Sequence, residues 1–183
     1  ASMPMPDPWT DAAEVQECAR QTIKAAREAV AIYVKSETPS QAEKISVASH
    51  AIRLAKLDSV KRANYLDLSF EEVDPGDVQD LLDMLAIVPH ESILSKEVVL
   101  LNPDFGESSR LVGGADCDLI TGDLLVDFKV TKKNETQVKT LDQILGYFLL
   151  ARRQRHTDQT FPEINRLGFY YCRHGYLRTM DVA

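Results

Sequence analysis

No stretch of this 183-residue chain stays apolar long enough to cross a bilayer, so a membrane span is not expected. No basic-then-apolar leader opens it, so secretion is not expected either. Cysteine is scarce. Cys18, Cys117 and Cys172 lie far apart, without zinc-ligand spacing and without the pattern of a disulfide framework. A reducing cytoplasm is the expected setting. There is no internal repeat, no low-complexity tract and no Gly/Ser-rich linker. There is also no general excess of positive charge: the net charge of −7 argues against a protein that coats nucleic acid through a uniformly basic surface. Lys and Arg are absent from Leu66 to Ser95, a span holding eight acidic residues.

The composition is otherwise that of an ordinary globular chain, with 44% hydrophobic and 27% charged residues. The positive charge is concentrated. Phe128 to His156 holds seven Lys or Arg against two acidic residues, a net +5 that leaves −12 on the remainder. Such a region beside an acidic body suits a phosphate backbone, although a solvated mixed-charge helix has the same composition.

The first half reads as helical. Asp7-Pro8 and Thr10 offer capping chemistry, and Val15, Ala19, Ile23, Ala26 and Val30 recur at helical spacing, predicting a helix to about Lys35. Thr38-Pro39-Ser40-Gln41 reads as a cap, a Pro at the first helical position and a capping-box Gln, opening a second helix to about Leu57. After Asp74-Pro75-Gly76-Asp77, the stripe Val78, Leu81, Leu82 and Leu85 predicts a third helix ending near Pro89. The second half changes period. Strands are expected over Glu97–Leu101, Ala115–Ile120 and Leu124–Val130, then a helix from about Glu135 to Arg153. Leu167–Cys172 and Tyr176–Met180 form a final hairpin around His174-Gly175. An α/β or α+β sandwich follows. One domain over residues 1–183 is expected, with a helical part at 1–95 packed on a mixed core at 96–183.

The chemistry concentrates between Gly113 and Lys129. If Gly122-Asp123 is a two-residue type II′ turn, opposed residues have numbers summing to 245. Asp118 then faces Asp127, Asp116 faces Lys129 and Ile120 faces Leu125. Alternation puts Asp116, Asp118, Asp127 and Lys129 on one face, and Cys117, Leu119, Leu124, Val126, Phe128 and Val130 on the other, which is expected to be core. Two carboxylates opposed across a hairpin repel by about 3 kcal/mol at an effective dielectric near 20. Lys129 offsets part of this, and a hard divalent cation would offset more. A Lys–Asp ion-pair cluster on a solvated strand accounts for two carboxylates; three with a lysine, opposite a uniformly apolar face, point to a metal site.

These residues carry a resemblance. Asp118 followed by Asp127-Phe128-Lys129 resembles the signature of the PD-(D/E)XK nuclease superfamily, and Gln143-Ile144-Leu145-Gly146-Tyr147 is similar to the Gln-x-x-x-Tyr helix of its RecB-like and exonuclease-like branch. The order of elements also matches that superfamily's core. The wider stretch, from Leu101-Asn102-Pro103 to Arg173-His174-Gly175-Tyr176-Leu177, resembles uncharacterised bacterial members.

The resemblance implies a restriction-endonuclease-like core, a central mixed sheet flanked by helices with an N-terminal helical extension. It implies Mg²⁺ or Mn²⁺ held by Asp118, Asp127 and the Phe128 carbonyl, with Asp116 as a further candidate ligand. Lys129 would act on the attacking water, and Gln143 would contact the active site or substrate. Tyr147, which shares the helix face of Gln143, is a candidate substrate contact, as are Lys132, Arg152 and Arg153. The implied activity is metal-dependent hydrolysis of phosphodiester bonds, in DNA ahead of RNA. The alternative is a catalytically silent member of the fold that binds nucleic acid or protein, with a second copy of the chain a further candidate partner. Two features depart from the pattern: Cys117 rather than Pro precedes Asp118, and the first-helix acidic residue is unassigned among Asp80, Asp83 and Glu91.

Overall fold

Capping chemistry sets where the helices of the first half begin. The structure, a computed structural model, describes residues 12–63, 71–94, 98–133, 135 and 137–182. The capping residues expected at Asp7, Pro8 and Thr10, and the start of the first strand at Glu97, lie outside these, as does part of the acidic span. Helix α1 covers Ala12–Lys35 and α2 covers Gln41–Ala63. Between them Ser40 and Glu43 close a reciprocal box. The Ser40 N–H and hydroxyl donate to Glu43 Oε2 at 2.6 and 2.7 Å, and the Glu43 N–H donates to Ser40 Oγ at 3.3 Å. The cap is therefore Ser40 rather than Thr38, and its partner is Glu43 rather than Gln41. A carboxylate three residues past the cap accepts a charge-assisted bond that an amide cannot match. Helix α3 (Pro75–Ala86) starts with Pro at its first position, where a missing N–H costs nothing, and Asp74 Oδ1 accepts the Gly76 N–H at 2.7 Å.

The chain divides into two compact units, residues 1–83 and 84–183. In the first, α1 packs along α2 with small residues at the contact, Ala26 and Ala48 being buried. Arg53 and Lys56 of α2 donate to the carbonyls of Glu71 and Glu72 at 3.0 and 2.9 Å, tying the segment before α3 to α2.

The second unit is α+β. It contains α4 (His90–Ile93), β1 (Val99–Leu101), α5 (Glu107–Arg110), β2 (Leu119–Thr121), β3 (Leu124–Lys129), α6 (Val138–Thr157), β4 (Arg166–Tyr171) and β5 (Tyr176–Asp181). The strands form one mixed sheet in the order β1-β2-β3-β4-β5. The first three make an antiparallel meander, α6 crosses back to lay β4 parallel to β3, and β5 returns antiparallel. The β2–β3 register follows the turn chemistry, with Ile120 opposite Leu125 and Thr121 opposite Leu124. Gly122 adopts φ +58° while Asp123 does not take a positive φ, the asymmetry a type II′ turn needs.

Both sheet faces are covered. α6 lies on one through Ile144 and Ala151, packed with Phe105, Ile120, Leu125, Leu167 and Phe169. Val88 and Ile93 cover Leu119, Leu124, Val126 and Tyr170 on the other. The acid-bearing face is therefore not a solvated one, but the polar end of a buried one. Two positions expected in the opposite core depart from it. Phe128 is 38% and Val130 57% exposed, because β3 runs past its cover; Phe128 keeps an edge contact with Tyr170 at 5.6 Å. Cys117 is also displaced, packing on the α6 side. No described helix is long and apolar enough to cross a membrane.

Candidate functional site

Strand β3 alternates Leu125, Asp127 and Lys129 toward α6. Leu125 is fully buried and Asp127 only 4% exposed, so the carboxylate sits where the dry core ends. Burial pushes the Asp127 carboxyl above its ordinary value, and the charge of Asp118 adds to this, while the Lys129 ammonium pulls it back. Lys129 Nζ lies 2.5 Å from Asp127 Oδ2 as an ion pair. Oδ2 has no other partner among the described residues.

Helix α6 supplies the next link. Lys129 Nζ donates to Gln143 Oε1 at 3.1 Å, and Gln143 Nε2 donates to the Tyr147 hydroxyl at 2.8 Å. Gln143 and Tyr147 are one helical turn apart, which puts both over the end of β3. The Tyr147 ring packs 5.7 Å from Phe105, so it is part of the core as well as of the network. Its hydroxyl is raised above its ordinary pKa by burial and by the carboxylates of Asp127, Asp116 and Asp118, against the bond from Gln143. It stays neutral and able to donate.

Asp118 is joined to β3 through the main chain. In the hairpin register Phe128 falls opposite Cys117, yet its N–H is donated to Asp118 Oδ2 at 2.6 Å. The ladder ends at Leu119, the chain bends at Asp118, and residues 102–104 take over pairing. The Asn102 N–H donates to the Asp118 carbonyl at 3.0 Å, and the Cys117 N–H to the Pro103 carbonyl at 3.2 Å. This bend turns the Cys117 side chain into the core, where burial and the charges of Asp118 and Asp116 push its thiol up to about 12. The N–H and C=O of one strand residue point to the same side, so the Phe128 carbonyl also looks toward Asp118. Asp116 does not face Lys129. It is exposed and bridges Asp104, while Lys129 pairs with Tyr171 of β4.

The loop between β1 and β2 fixes this geometry, and of its residues only Asp116 and Asp118 were expected at the site. Phe105 is fully buried against Tyr147 and Phe161. The Phe105 N–H donates to Ser109 Oγ at 2.8 Å, and the Ser109 hydroxyl donates to the Ala115 carbonyl at 2.6 Å. The one available sign was Asp104-Phe105-Gly106: Asp104 Oδ1 accepts the Gly106 N–H at 2.9 Å, as an Asx turn does.

Asp118, Asp127, the Phe128 main chain, Lys129, Gln143 and Tyr147 are thus brought together, and the other expected residues are not. Lys132 is exposed in the loop after β3. Arg152 lies nine residues beyond Gln143, about 13 Å along α6 and half a revolution round it. It packs over the Phe148 ring at 5.7 Å. Arg153 is exposed on the same distal turn, and its neighbour Arg155 donates to the Gln159 and Phe161 carbonyls. Glu91 belongs to α4, whose Ile93 packs on the far face of the sheet. Asp80 and Asp83 belong to the first unit, where Asp83 accepts from Gln79 at 2.7 Å.

Among the described residues no group of three or more His, Cys, Asp or Glu is gathered for metal binding. The donors at the site are two carboxylates and the Phe128 carbonyl, all oxygen. An all-oxygen donor set of this kind suits a hard divalent cation. No family model, curated protein or solved structure gives a significant match to the chain.

Proposed function

We propose that the second unit is a PD-(D/E)XK-like, metal-dependent phosphodiesterase acting on nucleic acid, with DNA the first substrate to test. The observation that carries this reading is the continuous link Asp127–Lys129–Gln143–Tyr147, with Asp118 bonded to the Phe128 N–H between the first two. Residues far apart in sequence converge on one end of a mixed sheet. The element order, three antiparallel strands, a crossover helix and a parallel strand, further supports a restriction-endonuclease-like core.

Asp118, Asp127 and the Phe128 carbonyl would hold Mg²⁺ or Mn²⁺, which when bound lowers the pKa of water and neutralises charge on the phosphate. Lys129 does the work of the chain itself. Its ammonium is anchored by Asp127 and aimed by Gln143, and it stabilises negative charge growing on a phosphoryl oxygen or orients the attacking water. A flexible lysine held at two points loses little further freedom when substrate arrives. Tyr147 fixes the Gln143 amide, so that its oxygen rather than its nitrogen faces the ammonium.

The test is incubation of the full chain with end-labelled single- and double-stranded DNA and RNA, in Mg²⁺, Mn²⁺ or EDTA. Metal-dependent cleavage is expected. Silence on every substrate with both metals overturns the hydrolytic reading in favour of a binding module on the same fold.

A further inference from the structure

The sheet register brings an unassigned aromatic side chain to the site. Lys129 pairs with Tyr171 across β3–β4, and Tyr171 with Tyr176 across β4–β5. Residues paired in this way share a face. Lys129, Tyr171 and Tyr176 therefore form one row on the face that carries the site, with Tyr176 two strand spacings, about 10 Å, from Lys129. Tyr171 is 1% exposed, locked in the core, and the Tyr176 ring lies over it at 6.4 Å and 20°. Tyr176 itself is 49% exposed. It is the outer member of a two-ring stack, flat, rigid and open to solvent.

Charge gathers at the same edge. β3 and β4 are parallel, so the segments leaving them emerge together. Lys132 is on the segment leaving β3, and Arg173 on the turn leaving β4; both are exposed. Lys139 opens α6 one turn before Gln143, on the face that meets Lys129. The turn after β4 is held in place. Gly175 has φ +57°, and a Cβ there would lie 2.7 Å from the Ile87 carbonyl oxygen, so the backbone is seated directly on residue 87.

A solvent-facing tyrosine on an edge strand is common and needs no ligand. One that extends a stack from the core, in register with a lysine of the candidate site and at a sheet end where Lys132, Lys139 and Arg173 are exposed, has the aromatic-plus-cationic make-up that binds single-stranded nucleic acid. We infer that Tyr176 is a stacking platform for an unpaired base of a strand whose phosphates cross the C-terminal edge of β3 and β4 toward Lys129. The inference rests on the phosphodiesterase reading and adds to it a preference for single-stranded or frayed substrate.

The test is fluorescence anisotropy of a labelled oligo-dT of about 12 nucleotides, within the usual span of such sites, and of a blunt duplex. Both are titrated with the full chain in EDTA, so that nothing is hydrolysed. Tyr176→Ala is expected to weaken oligo-dT binding by about 5- to 150-fold, the worth of one base–aromatic stack, with duplex binding little changed. Tyr176→Phe keeps the ring and should bind like wild type, which separates stacking from any general loss of structure. Lys132→Ala should reduce the slope of log K against log salt by about 0.7, one phosphate contact on a single strand. Arg152→Ala, on the far side of α6, should leave that slope as it is. Unaltered oligo-dT binding by Tyr176→Ala, or equal weakening on oligo-dT and duplex, overturns the platform. If wild type nevertheless cleaves DNA, the phosphodiesterase reading survives that loss; wild type that binds neither oligonucleotide overturns the platform, and silence in the cleavage assay overturns the phosphodiesterase reading with it.

Discussion

Lys129→Met should destabilise the second unit, and the loss should depend on pH in a particular direction. The substitution keeps most of the aliphatic stem and removes the ammonium 2.5 Å from Asp127 Oδ2. At an effective dielectric near 20, two unit charges at that distance attract by about 7 kcal/mol. Part of this is offset by the hydration the ammonium gives up, and Lys129 retains 21% exposure against 6% for Asp127. Removing one partner of a buried pair costs about 3–5 kcal/mol; with the lysine partly wet, the lower end, about 3 kcal/mol, applies. That corresponds to a fall in melting temperature of about 6–12 °C for a chain of this size.

The sign with pH follows from the raised Asp127 carboxyl. A carboxyl that holds its proton more tightly folded than unfolded favours the folded state at low pH, and that advantage is lost as pH rises from the unfolded value, about 3.9, through the folded one. Without Lys129 the folded value climbs further. The destabilisation should then be largest near about pH 7.5 and smaller near about pH 4.5. Melting curves of wild type, Lys129→Met, Asp127→Asn and the double variant, at both pH values, give the answer. The double variant should recover most of the loss. A Lys129→Met penalty that is absent, or that grows toward low pH, would refute the buried ion pair.

Asp127→Asn alone, without metal, should melt at or above wild type at neutral pH, because it removes a buried charge whose ionisation the fold resists; Mg²⁺ should raise the melting temperature of wild type and not of this variant. Phe105→Ala should cost about 3–5 kcal/mol, read by urea denaturation, because Phe105 is fully buried between Tyr147 and Phe161. A cost under 1 kcal/mol would mean the β1–β2 loop is not anchored there. Cys117, with its thiol pushed up to about 12 and 1% exposed, should escape alkylation of the native protein near pH 8, whereas Cys18, partly exposed, should react; peptide mass mapping distinguishes the two.

The hairpin was legible because a two-residue turn and a period of two leave no freedom: once Gly122-Asp123 turns, Ile120 must meet Leu125. Lys129 and Gln143 were each readable as motif residues, but their meeting was not, since it depends on how far α6 slides along the sheet before Ile144 and Ala151 seat. Asp116 was misplaced for a related reason. The extrapolated ladder assumed continued alternation, whereas Asp118 spends its side chain on the Phe128 N–H and hands its neighbours to residues 102–104. The cover of the acid-bearing face was not legible, because it depends on α6 seating Ile144 and Ala151 over Ile120 and Leu125. The capping box went astray by a register of two, since Thr38-Pro39 and Ser40 both satisfy the local rules and only the reach of the Glu43 carboxylate decides between them.

The most direct test of the central claim is the separation of metal binding from hydrolysis at Lys129. Wild type and Lys129→Ala are titrated with Mn²⁺ and followed by thermal shift, and the same preparations are assayed on labelled single-stranded DNA. The expected result is a metal-induced rise in melting temperature in both, with cleavage by wild type and a loss of at least about 100-fold in the variant, the scale of one transition-state contact. Cleavage by Lys129→Ala at the wild-type rate would contradict the account.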